Sequence, residues 1–422
     1  MKRILTIFLA MTAVLSAERA TTLMARLKTD ERIAREEKAL KADPGSAAHA
    51  VELASAYIQK MRETVDGSYL LRASKLLDGV LATDANNYEA LRQRTEVELF
   101  RHEFAKVIED SLRLQGMRPG DSWNFATLGD AYMERGEYDK AEQAYQRLAD
   151  RRRDLVSYNR IAFFRFVTGD TDGAIQAMEQ AVRSGSATPE HLAWCLVELG
   201  NLYFKTGRLD EARAAYAASL QRETGYHLAL AGLGRVAAAK GDFDIAIQNY
   251  KQAQAVVPMP DYAASLEVLF AHAGRSGEAD KQRALVDLAD QLGRAQNETT
   301  NRTLALIYAD QNRNLARSLD LAQAELSVRR DVYSYDALAW SLFKNGKIEE
   351  AAAAMEKALA QNTDEPAFYL HAARIAAAQD KADAARRYSE RASKLNPKFD
   401  VRQAVAGTTS YSETSHIPEK AR

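Results

Sequence analysis

Cys195 is the single cysteine of this 422-residue chain and the first place to look for a nucleophile. A thiol attacks a carbonyl carbon only where a base or a nearby cation favours the thiolate. Cys195 stands between Trp194 and Leu196 in an apolar run, where a thiol stays protonated and packs as a small hydrophobe. One cysteine also permits no intrachain disulfide and no cysteine-based zinc cluster. His102-Glu103 could open a zinc-protease helix, but no second His follows four residues on. Asp170-Thr171-Asp172-Gly173 starts like a calcium loop, lacks the rest of the ligand series, and reads as a hairpin turn. Arg151-Arg152-Arg153 fits the end of a helix, where cations meet the negative end of the dipole. Asn297-Glu298-Thr299 and Asn301-Arg302-Thr303 are sequons, which matter only in a glycosylating secretory pathway. These residues point away from catalysis, and no cofactor or metal is expected.

Phosphate chemistry is the remaining possibility, raised by Gly129 and Gly136 in LGDAYMERGEYDKAEQAY, residues 128–145. A P-loop needs a preceding strand and a following Lys-Ser/Thr, and a dinucleotide fingerprint needs other spacings. The stretch recurs instead. LGNLYFKTGRLDEARAAY (199–216) and LGRVAAAKGDFDIAIQNY (233–250) repeat the glycines, the alanine and the tyrosine in register. Weaker copies occupy 161–178, 266–283 and 338–355, and 372–389 has Asp380 where the second glycine should be. Starts fall 33, 38, 34, 33, 72 and 34 residues apart, and a degraded copy at 304–321 fills the gap of 72. A fixed period of this size marks a stacked repeat protein.

The spacing dictates the unit. Leu128, Ala131 and Tyr132 share one helical face, and Gly136 ends that helix because glycine accepts positive φ without steric cost. A second helix starts near Tyr138, with Ala141, Tyr145 and Leu148 inward. Gly129 and Ala141 are small because two helices cross closely there. Each copy is a hairpin that must stack on the next to bury its apolar face.

The chain as a whole agrees. It is 46% hydrophobic and 27% charged, with only eight prolines, which suits a folded and mostly helical protein. A formal charge of -1 argues against a dedicated nucleic-acid binder. Lys2, Arg3 and the apolar run Ile4 to Leu15 read as a secretory signal peptide over residues 1–17, cleaved before Ala17 or Glu18. The run is too short to span a bilayer. Residues 18–44 read as a charged leading segment and 400–422 as a disordered tail.

Leu128, Gly129, Tyr132, Gly136, Tyr138, Ala141 and Tyr145 resemble the pattern of the tetratricopeptide repeat, with Phe125 where the family often has Trp. The resemblance is strong over 122–399 and divergent over 45–121, about ten units in all. The block 304–400 is similar to the C-terminal part of bacterial repeat proteins that carry no assigned chemistry. The resemblance implies an all-α, right-handed superhelical solenoid whose first helices line a concave groove for a protein or peptide. By helical phase, the groove residues are Trp123, Asp130, Asn159, Phe163, Phe166, Trp194, Asn201, Phe204, Arg235, Trp340 and Phe343. Several of these rings are expected to be partly exposed. Together with the leader, this reads as a periplasmic or secreted, non-enzymatic scaffold of the bacterial cell envelope. The alternative is a ligand- or polysaccharide-binding accessory subunit of an envelope transporter or synthase.

Overall fold

The computed structural model describes residues 28–186, 188–295 and 301–399. The signal-peptide reading (1–17) and the tail (400–422) lie outside the described residues. Every regular element among the described residues is a helix. A leading helix, α1 (Thr29–Ala42), precedes ten hairpins. These are α2 (Ala47–Thr64) and α3 (Ser68–Thr83); α4 (Tyr88–Phe100) and α5 (Phe104–Met117); α6 (Trp123–Glu134) and α7 (Tyr138–Arg151); α8 (Leu155–Val167) and α9 (Thr171–Ser184). Then come α10 (Pro189–Lys205) and α11 (Leu209–Arg222); α12 (His227–Lys240) and α13 (Phe243–Val256); α14 (Pro260–His272) and α15 (Ser276–Ala295). The last three are α16 (Arg302–Asp310) and α17 (Leu315–Val328); α18 (Val332–Lys344) and α19 (Ile348–Leu359); α20 (Pro366–Ala378) and α21 (Ala382–Leu395).

Local chemistry sets the boundaries. The first helices of several units begin at side-chain caps: Asn87 accepts from the Ala90 amide at 3.0 Å, and Asp331 from the Ser334 amide at 2.7 Å. The sequon residue Asn301 caps α16 in the same way, accepting from the Leu304 amide at 2.9 Å. Gly136, at φ +68°, closes α6 as the repeat pattern requires.

The small residue at the crossing has a different partner from the one its spacing suggests. A Cβ on Gly129 would stand 2.2 Å from the Tyr145 ring. Gly200 meets Tyr216 and Gly234 meets Tyr250 in the same relation. In these three units the tyrosine of the second helix therefore packs against the glycine of its own first helix, and Ala141, Ala212 and Ala246 on the same second helices are buried.

The stack also closes on itself. The carbonyls at the C-terminal ends of three successive first helices are each capped by a loop far along the chain. Arg330 N–H donates to Glu134 O at 2.9 Å, Thr363 Oγ1 to Val167 O at 2.6 Å, and Asn396 Nδ2 to Phe204 O at 2.7 Å. Arg330, Thr363 and Asn396 themselves stand 33 residues apart. One turn of the solenoid therefore docks onto the next in register, one loop per repeat. Buried ion pairs accompany this seam: Glu134 with Arg329 at 2.7 Å and Glu365 with Lys205 at 2.8 Å. Nearer the N-terminus, Arg62 meets Glu190 at 3.2 Å, joining α2 to α10.

Candidate functional site

Most of the phase-matched residues of the first helices are buried. Trp194 is fully buried, and Trp123, Phe166, Phe204 and Trp340 are nearly so. The expected partial exposure of Trp194, Phe204 and Trp340 is therefore corrected. The physical reason is packing between neighbouring hairpins, as where Trp340 stacks on His371, with the seam adding cover at Phe204, whose carbonyl takes Asn396 and whose ring lies 6.3 Å from Phe399. Phe163, Asn201 and Phe343 keep partial exposure.

Three separate clusters hold these residues. In the first, Asp130 takes both arms of Arg160, at 2.9 and 2.8 Å, and the Tyr145 hydroxyl at 2.8 Å. Trp123 lies under the Arg92 guanidinium at 4.9 Å. A buried, bidentate aspartate of this kind orients helices and leaves little charge for a ligand.

The second cluster is central and unites α8, α10 and α12. Asn201 Oδ1 accepts from Tyr216 Oη and from Arg235 Nη2, each at 2.8 Å, while its amide donates to Glu198 at 3.1 Å. Arg235 also lies over the Phe204 ring at 5.1 Å. Phe163, Phe166, Asn201, Glu198, Lys205 and Tyr333 line a cavity of about 20 Å³, room for about one water. Burial pushes the Glu198 carboxyl up, against the opposing pull of Lys205 and Asn201. The Asn159 side chain is fully buried, and neither its oxygen nor its nitrogen finds a hydrogen-bond partner among the described residues.

The third cluster joins α16, α18 and α20. Trp340 stacks on His371 with centroids 4.1 Å apart, and on Phe343 at 5.1 Å. Trp340 Nε1 donates to Asp310 at 2.7 Å. His371 Nδ1 meets Asp336 at 2.8 Å. Burial would lower the His371 pKa, but Asp336 outweighs it and the net direction is upward. Burial pushes Asp310 up to about 6.

Chemically, these groups are committed to one another. Burial drives the Cys195 thiol well above its ordinary range, so it is held protonated. His227 is pulled down to about 4 by burial and stays neutral, sharing its Nδ1 with the Tyr262 hydroxyl at 2.7 Å. No group of three or more His, Cys, Asp or Glu suited to a metal occurs among the described residues. Sequence reasoning missed Glu134, Glu198, Lys205, Arg329, Glu365 and His371. Several of their partners lie far along the chain, 195 residues away for Glu134 and Arg329, and no local pattern announces such a pair.

Three family models described as tetratricopeptide repeat match the chain, at residues 126–155, 154–222 and 342–407. No curated protein matches it in sequence. Among solved structures it is similar to the APC/C hetero-tetramer Cut9-Hcn1, at 16% identity and a TM-score of 0.47, over 87% of this chain and 62% of that one. The chain thus spans less than two thirds of that relative. It is also similar to PilW, a type IV pilus biogenesis factor, at 14% identity and a TM-score of 0.42, over 48% of this chain and 93% of that one. Yeast Tom70 matches at 13% identity and a TM-score of 0.39, over 91% of each chain. The three matching models, set beside the hairpins and their glycine caps, show that the chain carries tetratricopeptide repeats over residues 126–222 and 342–407.

Proposed function

We propose that the protein is a non-enzymatic scaffold that binds a protein partner in the bacterial cell envelope. The observation that carries this reading is how the interior is used. Most of its charged and polar groups are paired with one another, and the cavity among Phe163, Phe166, Asn201 and Lys205 holds about 20 Å³, too little for a substrate. What the fold offers instead is a long outer surface on a frame stiffened by the seam. Phe163, Asn201 and Phe343 are the inner-face residues a partner can still reach. A sugar-binding accessory role needs exposed aromatic platforms, and the burial of Trp123, Trp194 and Trp340 favours the protein partner over it.

The envelope location rests on Lys2, Arg3 and the Ile4 to Leu15 run. N-terminal sequencing of the native protein should return Ala17 or Glu18 as the first residue, and a chain that starts at Met1 contradicts export. Affinity capture from an envelope extract, read by mass spectrometry, should recover a protein in a fixed ratio to the bait. Recovery of polysaccharide alone would transfer the assignment to the accessory-subunit reading.

A further inference from the structure

A cavity of about 630 Å³ lies at the N-terminal end of the array, apart from the three clusters. It is formed between α1, α2 and α3, and the loop from α3 to α4 closes one end. Its volume falls in the range of small-molecule sites, which run from about 300 to 1,000 Å³. On α3 the lining residues Arg72, Leu76, Gly79 and Thr83 form one stripe of the helix, so the groove is about 16 Å long. Its middle is apolar, walled by Leu40, Ala50, Leu53, Leu76 and Val80.

Polar side chains stand only at the two ends, and the ends differ. At the loop end they are engaged. Ser46 and Asn87 accept from the His49 and Ala90 amides, at 3.4 and 3.0 Å, and Asp84 from the Asn86 amide at 3.1 Å. At the other end stand Arg72 and Lys75, both exposed, and neither forms an ion pair among the described residues. Arg72 is held over the rings of Tyr69 and Tyr57, at 5.2 and 5.9 Å. Glu37, the acid beside it, takes the Tyr57 hydroxyl at 2.7 Å. Gly79 adds a second observation. A glycine inside a helix weakens it. Yet a Cβ here would meet nothing within 4 Å, so no other part of the chain requires the missing side chain. What the glycine keeps open is the groove.

We propose that this groove binds a free, single-chain anionic amphiphile, its acyl chain along Leu76, Gly79 and Val80 and its carboxylate or phosphate head between Arg72 and Lys75. Charge selects the head, because the only uncommitted polar groups of the groove are two cations at one end, and a guanidinium matches either oxyanion. The apolar middle selects the tail. An extended peptide would bring backbone N–H and C=O groups to a stretch that offers them no partner. A helix satisfies its own backbone but is too broad. Spread over about 16 Å, the volume gives a mean cross-section of roughly 40 Å², about half that of a helix some 10 Å across. The site is separate from the protein-binding surface and does not rest on that reading.

Isothermal titration calorimetry of the full chain with dodecanoate and with monododecyl phosphate, each below its micelle-forming concentration, tests the site. One molecule should bind per chain. Dodecyl maltoside, with the same tail and an uncharged head, should bind about tenfold more weakly. Lys75→Glu should weaken dodecanoate about tenfold and leave dodecyl maltoside unchanged. Gly79→Leu fills the groove where nothing stands in its way, so binding should be lost while the melting curve holds. Phosphatidylglycerol vesicles separate a free amphiphile from a membrane surface, and they should not sediment the chain. Absence of dodecanoate binding, binding indifferent to Lys75→Glu or Gly79→Leu, or binding to the vesicles in its place would overturn the inference. Capture of a protein partner should survive Gly79→Leu. Its loss in that variant, with no dodecanoate bound by the wild type, would give the groove to the protein instead.

Discussion

Arg329 reaches Glu134 across 195 residues of sequence, Nε to Oε2 at 2.7 Å, with both side chains almost wholly buried. Its Nη1 also meets Glu325 at 2.7 Å. One guanidinium thus offsets two buried carboxylates at the junction of two superhelical turns. Removing it takes a charged partner from each. Arg329→Met should cost about 3–5 kcal/mol in urea unfolding, the range for breaking a buried pair from one side. Arg208→Ala, which removes an exposed pair with Glu211, should cost less than about 1 kcal/mol. Equal effects would mean that the seam contributes nothing.

Two glycines with similar backbones separate the cost of strain from the cost of the seam. Gly136 and Gly346 have φ of +68° and +75°. A Cβ on Gly136 would lie 2.3 Å from the Arg330 carbonyl oxygen, whereas one on Gly346 meets nothing within 4 Å. Gly346→Ala should cost about 1–2 kcal/mol, the left-handed backbone penalty alone. Gly136→Ala should exceed it by about 1–3 kcal/mol, the usual cost of overpacking. Within the hairpins, Ala212→Trp or Ala246→Trp should lower the Tm sharply, while Lys251→Ala on the exposed face changes little.

The chain has three tryptophans, and all three are buried. Their fluorescence reports on closure. Emission should be blue-shifted and resistant to acrylamide until global unfolding. Trp194→Ala should destabilise the array by about 3–5 kcal/mol, as a core truncation does. Ready quenching under native conditions would show that the inner face is open in solution.

Buried carboxyls give the stability a pH slope. Burial raises Asp310 from 3.8 to about 6 and Glu96 from 4.5 to about 7, in the latter case despite Arg62, Arg92 and Arg160 nearby. An acid whose folded pKa is raised binds its proton more tightly in the folded state. Its contribution is therefore fully present below the unfolded pKa and is lost as pH climbs through the folded one. Each group should withdraw roughly 3 kcal/mol between about pH 4 and pH 7. Asp310→Asn keeps an acceptor for Trp340 and should flatten that slope, so the variant gains on wild type as pH rises. Comparing the two at each pH cancels the opposing contribution of His227. A difference that does not change with pH would contradict the assignment.

Much of the hairpin was legible because its rules are local. Gly136 had to end a helix, and the recurrence of Gly129, Ala141 and Tyr145 had to mean a close crossing. Phe163, Phe166 and Asn201 come together around one small cavity, with Phe204 and Arg235 packed beside it. Exposure was misjudged because phase identifies which side of a helix faces inward and carries no information about what lies across the axis. Whether Phe204 meets solvent depends on Asn396 and Phe399, and the Asn396 contact is 192 residues long. The Gly129–Tyr145 contact was nearer at hand: the paired conservation of type within each copy, glycine and then tyrosine sixteen residues on, was the available signal.

In an open solenoid each unit touches only its neighbours, so a unit can be duplicated or lost anywhere with modest consequence. The docking of Arg330, Thr363 and Asn396 onto Glu134, Val167 and Phe204 removes that freedom. Adding one unit between α10 and α17 would carry every donor past its acceptor and bring the wrong loop to each helix end. The number of units in that span is consequently counted by the molecule itself. Evolution can lengthen this protein at its ends, or decorate its loops, but between those two points it must keep the tally.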